Sequence, residues 1–196
     1  MTTPARLVWP AQEYLDGYRD ALERGWSPDN VRGADAVREE LAMIAADSGA
    51  FLASLVDREA KGDPITLKDG TQVTRLPGYR QWIWDGEFCG SVGARWRPGT
   101  EALPPHCLGH VGYAVVPWKQ GRGYATAALR ALLPSLAAEG LRYVEVVTDP
   151  GNMPSRRVIE ASGGVLVEAF TRPASLGGTP ALRYRITLVS GGGSDQ

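Results

Sequence analysis

The chain has 196 residues, 43% hydrophobic and 22% charged, a length and balance that supply one well-packed core and leave little for a second. Its formal net charge of −1 leaves no basic footprint for nucleic acid or an anionic membrane. No apolar run reaches the roughly 18 residues of a spanning helix, and the N-terminal MTTPARLVWPAQEY lacks the basic-then-apolar order of a signal peptide. Cys89 and Cys107 have no metal-ligand spacing and predict neither a disulfide framework nor a metal site, which points to a reducing cytoplasm.

In chain order, an extended piece at Arg6–Trp9 precedes a helix opened by Pro10 over AQEYLDGYRDALERGW. Val37, Leu41, Ile44 and Ala45 are spaced as one helix face, and a second short helix is expected over Phe51–Glu59. The period then changes. ITLKDGTQVTRL reads as a hairpin around Asp69-Gly70, and YRQWIWDGEFCGSVGARWRPG as two strands turning at Asp85-Gly86. CLGHVGYAVVP is a strand that Pro117 stops. Helical spacing of Ala125, Ala128, Leu129, Leu132, Leu133 and Leu136 follows, with Pro134 expected to kink or shorten the helix. YVEVVTD is a β-branched strand, and NMPSRRVIEASGG a compact helix with Asn152 as N-cap and Gly163 or Gly164 at its end. VLVEAF and ALRYRITLV close the chain as strands, and SGGGSDQ reads as a disordered tail. The order predicts an α/β (α+β) domain with a mixed sheet.

Two glycines, Gly121 and Gly123, stand where a helix should begin, although Gly costs roughly 1 kcal/mol against Ala inside a helix. Strand, glycine loop and helix together suit an anion, because the first N–H groups of a helix lack partners and carry its positive dipole end. Lys119 and Arg122 could add charge there. The loop is no Walker A string, and Thr126 replaces the third glycine of a dinucleotide fingerprint.

Gln120-Gly121-Arg122-Gly123-Tyr124-Ala125 fits [Q/R]-x-x-G-x-[G/A] and resembles the acyl-CoA pyrophosphate loop of the GNAT superfamily of N-acetyltransferases. GHVGYAVVPWKQGRGYATAAL resembles that family's fourth strand, loop and third helix, and LRYVEVVTDPGNMPSRRVIEASGGVLVEAF its fifth strand, next helix and sixth strand. The resemblance is close over residues 80–172. It implies one domain over residues 1–190 with a sheet of six to seven strands splayed between strands four and five, residues 191–196 being tail. It further implies acetyl-CoA as acyl donor. Gln120, Gly121, Arg122, Gly123, Tyr124, Ala125 and Thr126 would hold the pyrophosphate, Val115 and Val116 would pair with the pantetheine arm, and Asn152 and Ser155 would sit near the thiol.

Acetyl transfer to an amine needs a neutral amine, donors for the oxyanion and a leaving thiolate. His110 stands where many relatives carry a general base, and an imidazole suits that task; the alternative is a structural ring satisfied by neighbouring strands. Glu87 and Glu145 are the carboxylate alternatives, and His106, in a loop after LPP, is a candidate for contacting the substrate. Ile159 occupies the position at which many relatives place a general-acid Tyr, so Tyr124, Tyr113, Ser155 or water would have to assist. Tyr18 and Trp26 are candidates for the acceptor wall, and Trp118 for shielding the donor. The implied activity is N-acetylation of a small-molecule or peptide amine by a monomer or homodimer, and a non-catalytic acyl-CoA-sensing domain is the alternative.

Overall fold

Antiparallel pairing builds two main sheets and a small separate hairpin, and a helical crossover carries the chain from the first main sheet to the second. The computed structural model describes residues 5–30, 32–67 and 70–189. Strand β1 (Arg6–Val8) leads into α1 (Gln12–Glu23), whose buried Leu15, Tyr18, Ala21 and Leu22 form one helix face. Helices α2 (Ala34–Ala46) and α3 (Ser48–Ser54) meet at Asp47, which ends the first and caps the second by accepting the Ala50 N–H at 2.9 Å. The short helix stops at Ser54 rather than reaching Glu59, because Val56 and Asp57 pair with Tyr79 and Gly78 as strand β2 (Val56–Asp57). Strands β3 (Ile65–Thr66) and β4 (Gln72–Val73) form the expected hairpin, and Asp69 of its turn lies outside the described residues, as does the tail from 191.

β5 (Gly78–Trp84) and β6 (Phe88–Arg95) pair antiparallel across the Asp85-Gly86 turn. β7 (Val111–Val115) adds to β6 and starts later than the apolar pattern suggests, because His110 bonds elsewhere. The first sheet therefore runs β1-β5-β6-β7, with β2 also on β5. A one-turn helix (Pro117–Lys119) and α4 (Tyr124–Ala138) then cross to β8 (Tyr143–Thr148). α4 passes through Pro134 unshortened: that residue and Arg130, whose carbonyl it leaves unpaired, both face solvent. After α5 (Met153–Ala161), β9 (Val165–Thr171) and β10 (Pro180–Thr187) complete a second sheet in the order β8-β10-β9.

Neither sheet's ladder joins β7 to β8, so the sheet is split between its fourth and fifth main strands. Apolar clusters cover the two faces. Leu129, Leu132 and Leu136 of α4 and Ile159 of α5 pack on Val92, Val111, Val144, Val146 and Tyr184 from both sheets. Tyr18, Leu22, Trp26 and Phe51 pack on Trp82, Phe88 and Val116 across the other face of the first sheet only. One helical layer thus bridges the split, and the opposite layer leaves the second sheet uncovered.

Candidate active site

Gly121 and Gly123 adopt φ of 76° and 79°, the left-handed region that L side chains rarely enter, and no atom stands within 4 Å of where either Cβ would be. Conformation requires these glycines, and the space in front of them is open. The first in-helix bond of α4 runs from the Ala127 N–H to the Gly123 carbonyl at 3.0 Å, so the N–H groups of Tyr124, Ala125 and Thr126 precede the ladder. Gln120 Nε2 donates to the Val115 carbonyl at 3.3 Å, tying the loop to β7. Arg122 lies exposed, its guanidinium 3.5 Å from the Trp118 carbonyl.

Lys119 does not join this cradle. Its buried ammonium bonds both Asp85 oxygens at 2.7 and 3.0 Å and Glu87 at 2.9 Å, while the Tyr124 hydroxyl reaches Asp85 Oδ2 at 2.5 Å. Burial pushes the Asp85 carboxyl up, but the bonds from Lys119 and Tyr124 outweigh it and hold the pKa down at about 2. The β5–β6 turn is therefore an ionised peg that fixes the loop. The sequence expectation of free lysine charge beside the anion is corrected accordingly.

Along β7, the Val116 N–H donates to Cys89 at 3.0 Å and the Arg95 N–H to the His110 carbonyl at 2.9 Å. Main-chain groups of an antiparallel strand alternate between its two edges, so those of Val111, Tyr113 and Val115 face the split. The main-chain groups of Val115 thus face the split. Those of Val116 do not: its N–H is held by β6, its carbonyl accepts the Lys119 N–H at 3.0 Å, and its side chain is fully buried.

His110 closes the apex of the split. Its N–H donates to the Glu145 carbonyl at 2.7 Å and its Nδ1 accepts the Glu145 N–H at 2.9 Å. Gly109 permits the approach, since a Cβ there would stand 3.1 Å from the same carbonyl. An Nδ1 that accepts leaves the proton of the neutral ring on Nε2, which is buried near the Glu101 main chain. Burial lowers the imidazole pKa, with nearby Glu145 opposing. The ring thus presents no free lone pair to an amine. In this arrangement the His110 ring and main chain tie the start of β7 to β8.

Asn152 caps α5 by accepting the Ser155 N–H at 3.1 Å, on the far side of the split from the glycine loop. The Tyr113 hydroxyl crosses to Ser155, 3.0 Å from Oγ and 3.2 Å from its carbonyl, and burial pushes the phenol up to about 12. Ile159 is fully buried in the core below. Tyr113 of β7 thus meets the head of α5, while Gln120 ties the glycine loop to Val115 of the same strand.

On the opposite face, Glu145 is buried between Arg185 at 2.7 Å and Arg183 at 3.4 Å. Tyr18 and Trp26 do not line an acceptor wall: both are core residues, the Tyr18 hydroxyl bonding Glu40 and accepting from Arg80 at 2.9 Å. Trp118 lies beside the loop under the Arg24 guanidinium, 3.4 Å from its ring centre. Glu87 is exposed at the turn, and His106 stands half-buried in the turn that precedes His110.

A strand pair that parts above a clasp, with an uncapped helix N-terminus at its mouth, suits a ligand that carries a pyrophosphate. A family model described as acetyltransferase (GNAT) domain matches residues 54–165. The chain belongs to this family of N-acetyltransferases, and acetyl-CoA is its acyl donor. No curated protein matches the sequence. Among solved structures, the microcin C7 self-immunity acetyltransferase MccE with acetyl-CoA and AMP is similar at TM-score 0.61 and 14% identity, over 94% of this chain and 92% of that one. The acetyltransferase modifying the N-terminal serine of ribosomal protein L7/L12 from Salmonella typhimurium is similar at 0.60 and 14%, over 96% and 97%. The aminoglycoside acetyltransferase AAC(6')-Ib with coenzyme A is similar at 0.55 and 16%, over 94% and 95%. At these identities the likeness concerns the fold.

Proposed function

We propose that the chain acetylates an amine that enters from the sheet face opposite α4 and α5, while the donor lies in the split between β7 and β8. The open glycine loop at the head of α4 is the observation that carries this reading. When bound, acetyl-CoA supplies an activated acyl group on a good leaving thiolate. The N–H groups of residues 121–126 receive the pyrophosphate, with Gln120 and Arg122 at the loop's rim. The main-chain edge at Tyr113 and Val115 aligns the arm as an added strand and offers an N–H to the developing oxyanion. Asn152 and Ser155 border the thiol end. His110 holds the strands at the separation the arm requires, and the attacking amine gives its proton to water.

We further propose one domain over residues 1–190, with its donor-binding core at about 80–172, in the cytoplasm. Among the described residues no helix is long and apolar enough to cross a membrane. The acceptor is an amine of a small molecule or a peptide. Thiol release from acetyl-CoA across an amine panel tests the reading, with acetylated product identified by mass. Donor binding without turnover on any amine would favour a sensing domain and count against it.

A further inference from the structure

The cross-strand pair Gly93 and Gly112 lies on the sheet face opposite α4 and α5, Gly112 on the strand that borders the split. Neither has a left-handed φ, and a Cβ would approach nothing closer than the Tyr79 carbonyl, 3.5 Å away at Gly93, and Arg95 Nη2, 3.7 Å away at Gly112. Backbone geometry does not demand glycine at either position. What the two glycines provide is a low floor, with Gly112 exposed to solvent.

Charged side chains ring this floor. Arg95 leans over Gly112, its Nε anchored on the Gly109 carbonyl at 2.9 Å. Across the split, Arg185 pairs with Glu145, and Arg183 lies 3.4 Å from both Glu145 and Glu168. Arg185 stacks 3.9 Å over the Tyr143 ring and Arg183 4.8 Å over Phe170, so aromatic faces set both guanidinium planes. The Nε atoms of Arg183 and Arg185 are buried without hydrogen-bond partners among the described residues. With the Arg142–Glu101 pair beside Arg185 counted, four guanidiniums face three carboxylates, which leaves one positive charge unmatched, at Arg95, in a form that suits a carboxylate or phosphate.

We propose that this basin binds an anionic group on the acceptor, so that the substrates are amines that also carry a carboxylate or phosphate. The inference rests on the acceptor entering from this face. β10 lies one strand beyond β8, about 4.8 Å farther from the split, which separates amine and anion by a short chain. Plain polyamines are disfavoured by the same positive excess.

The test compares ω-amino acids of about two to six carbons with alkylamines and aminoalkyl phosphates of matched length, by initial rates of thiol release. At one length or more, an anionic amine should exceed its alkylamine at least tenfold in kcat/KM, the better arm telling carboxylate from phosphate. The preference should fall to within threefold of unity in the Arg183→Gln/Arg185→Gln double variant. Gly112→Val leaves the ion pairs in place and should raise the acceptor KM without changing the acetyl-CoA KM. Alkylamines as good at every length, or a folded double variant that keeps the preference, would overturn the inference. Absence of turnover on every amine concerns the transfer reading itself. Calorimetric titration of the anionic amines into CoA-saturated protein then decides: binding that the double variant loses supports the basin, and no binding overturns it.

Discussion

His110 and Glu145, 35 residues apart, exchange two hydrogen bonds that stand in for a missing sheet ladder: the His110 N–H to the Glu145 carbonyl at 2.7 Å and the Glu145 N–H to His110 Nδ1 at 2.9 Å. Below this point the two sheets are held together, and above it they part. An imidazole serves here because it extends the acceptor beyond the reach of a main-chain carbonyl.

His110→Ala leaves a buried N–H unpaired and a cavity beside it, so unfolding free energy should fall by about 2–4 kcal/mol. His110→Asn can return an acceptor to the Glu145 N–H and should recover part of this loss. The acidic limb of the pH–rate profile should be the same in His110→Asn as in the parent. A limb that disappears would restore His110 as the base.

Burial lowers the folded-state pKa of His110 below its ordinary value of about 6.5. Between those two values the unfolded chain binds more protons than the folded one, so stability is full above about pH 6.5 and declines as pH falls through the folded value. Melting temperature should therefore drop more steeply from pH 7.5 to 5.5 in the parent than in His110→Asn. Equal slopes would remove this linkage.

Asp85→Asn removes the main partner of the buried Lys119 ammonium, leaving Glu87 as the only carboxylate within 4 Å among the described residues. Loss of about 3 kcal/mol is expected, at the low end for a broken buried pair because Glu87 is retained. Because the peg also fixes the glycine loop, the acetyl-CoA KM should rise in step, by about tenfold. Unchanged donor affinity in a folded variant would detach the peg from the site.

Burial pushes the Cys89 thiol up to about 12 and also raises that of Cys107. Nucleophilic thiolate is scarce at neutral pH in both. Alkylation of the native protein at pH 7.5 should be slower than in the denatured chain by more than tenfold, and Cys89→Ala should leave thiol release from acetyl-CoA intact. Rapid labelling of Cys89 would contradict this environment.

The strand order and the glycine loop were legible because each rests on local pattern: β-branched runs, turn residues and a helix period that begins after Gly123. Residue roles were less legible wherever a distant partner decides them. Val115 and Val116 are equivalent in sequence, and only the register against β6 sends one toward the split and the other away. Lys119 reads as a free cation until Asp85 is brought beneath it. His110 was found by position, yet its task depends on Glu145. Arg183 and Arg185 stand two apart and so share a strand face, a signal present in the sequence; which face stays open depends on where α1 and α2 end.

Binding of CoA and of pantetheine, which lacks the pyrophosphate, by the parent and by Gly123→Val tests the central claim most directly. The left-handed φ of 79° at Gly123 resists a β-branched side chain, whose Cβ would also enter the open space before the loop. Titration calorimetry should show the parent binding CoA at least 100-fold more tightly than pantetheine, with that margin collapsing in a folded Gly123→Val. Equal affinity for the two ligands in the parent, or a margin that survives the substitution, would contradict a pyrophosphate cradle at the head of α4.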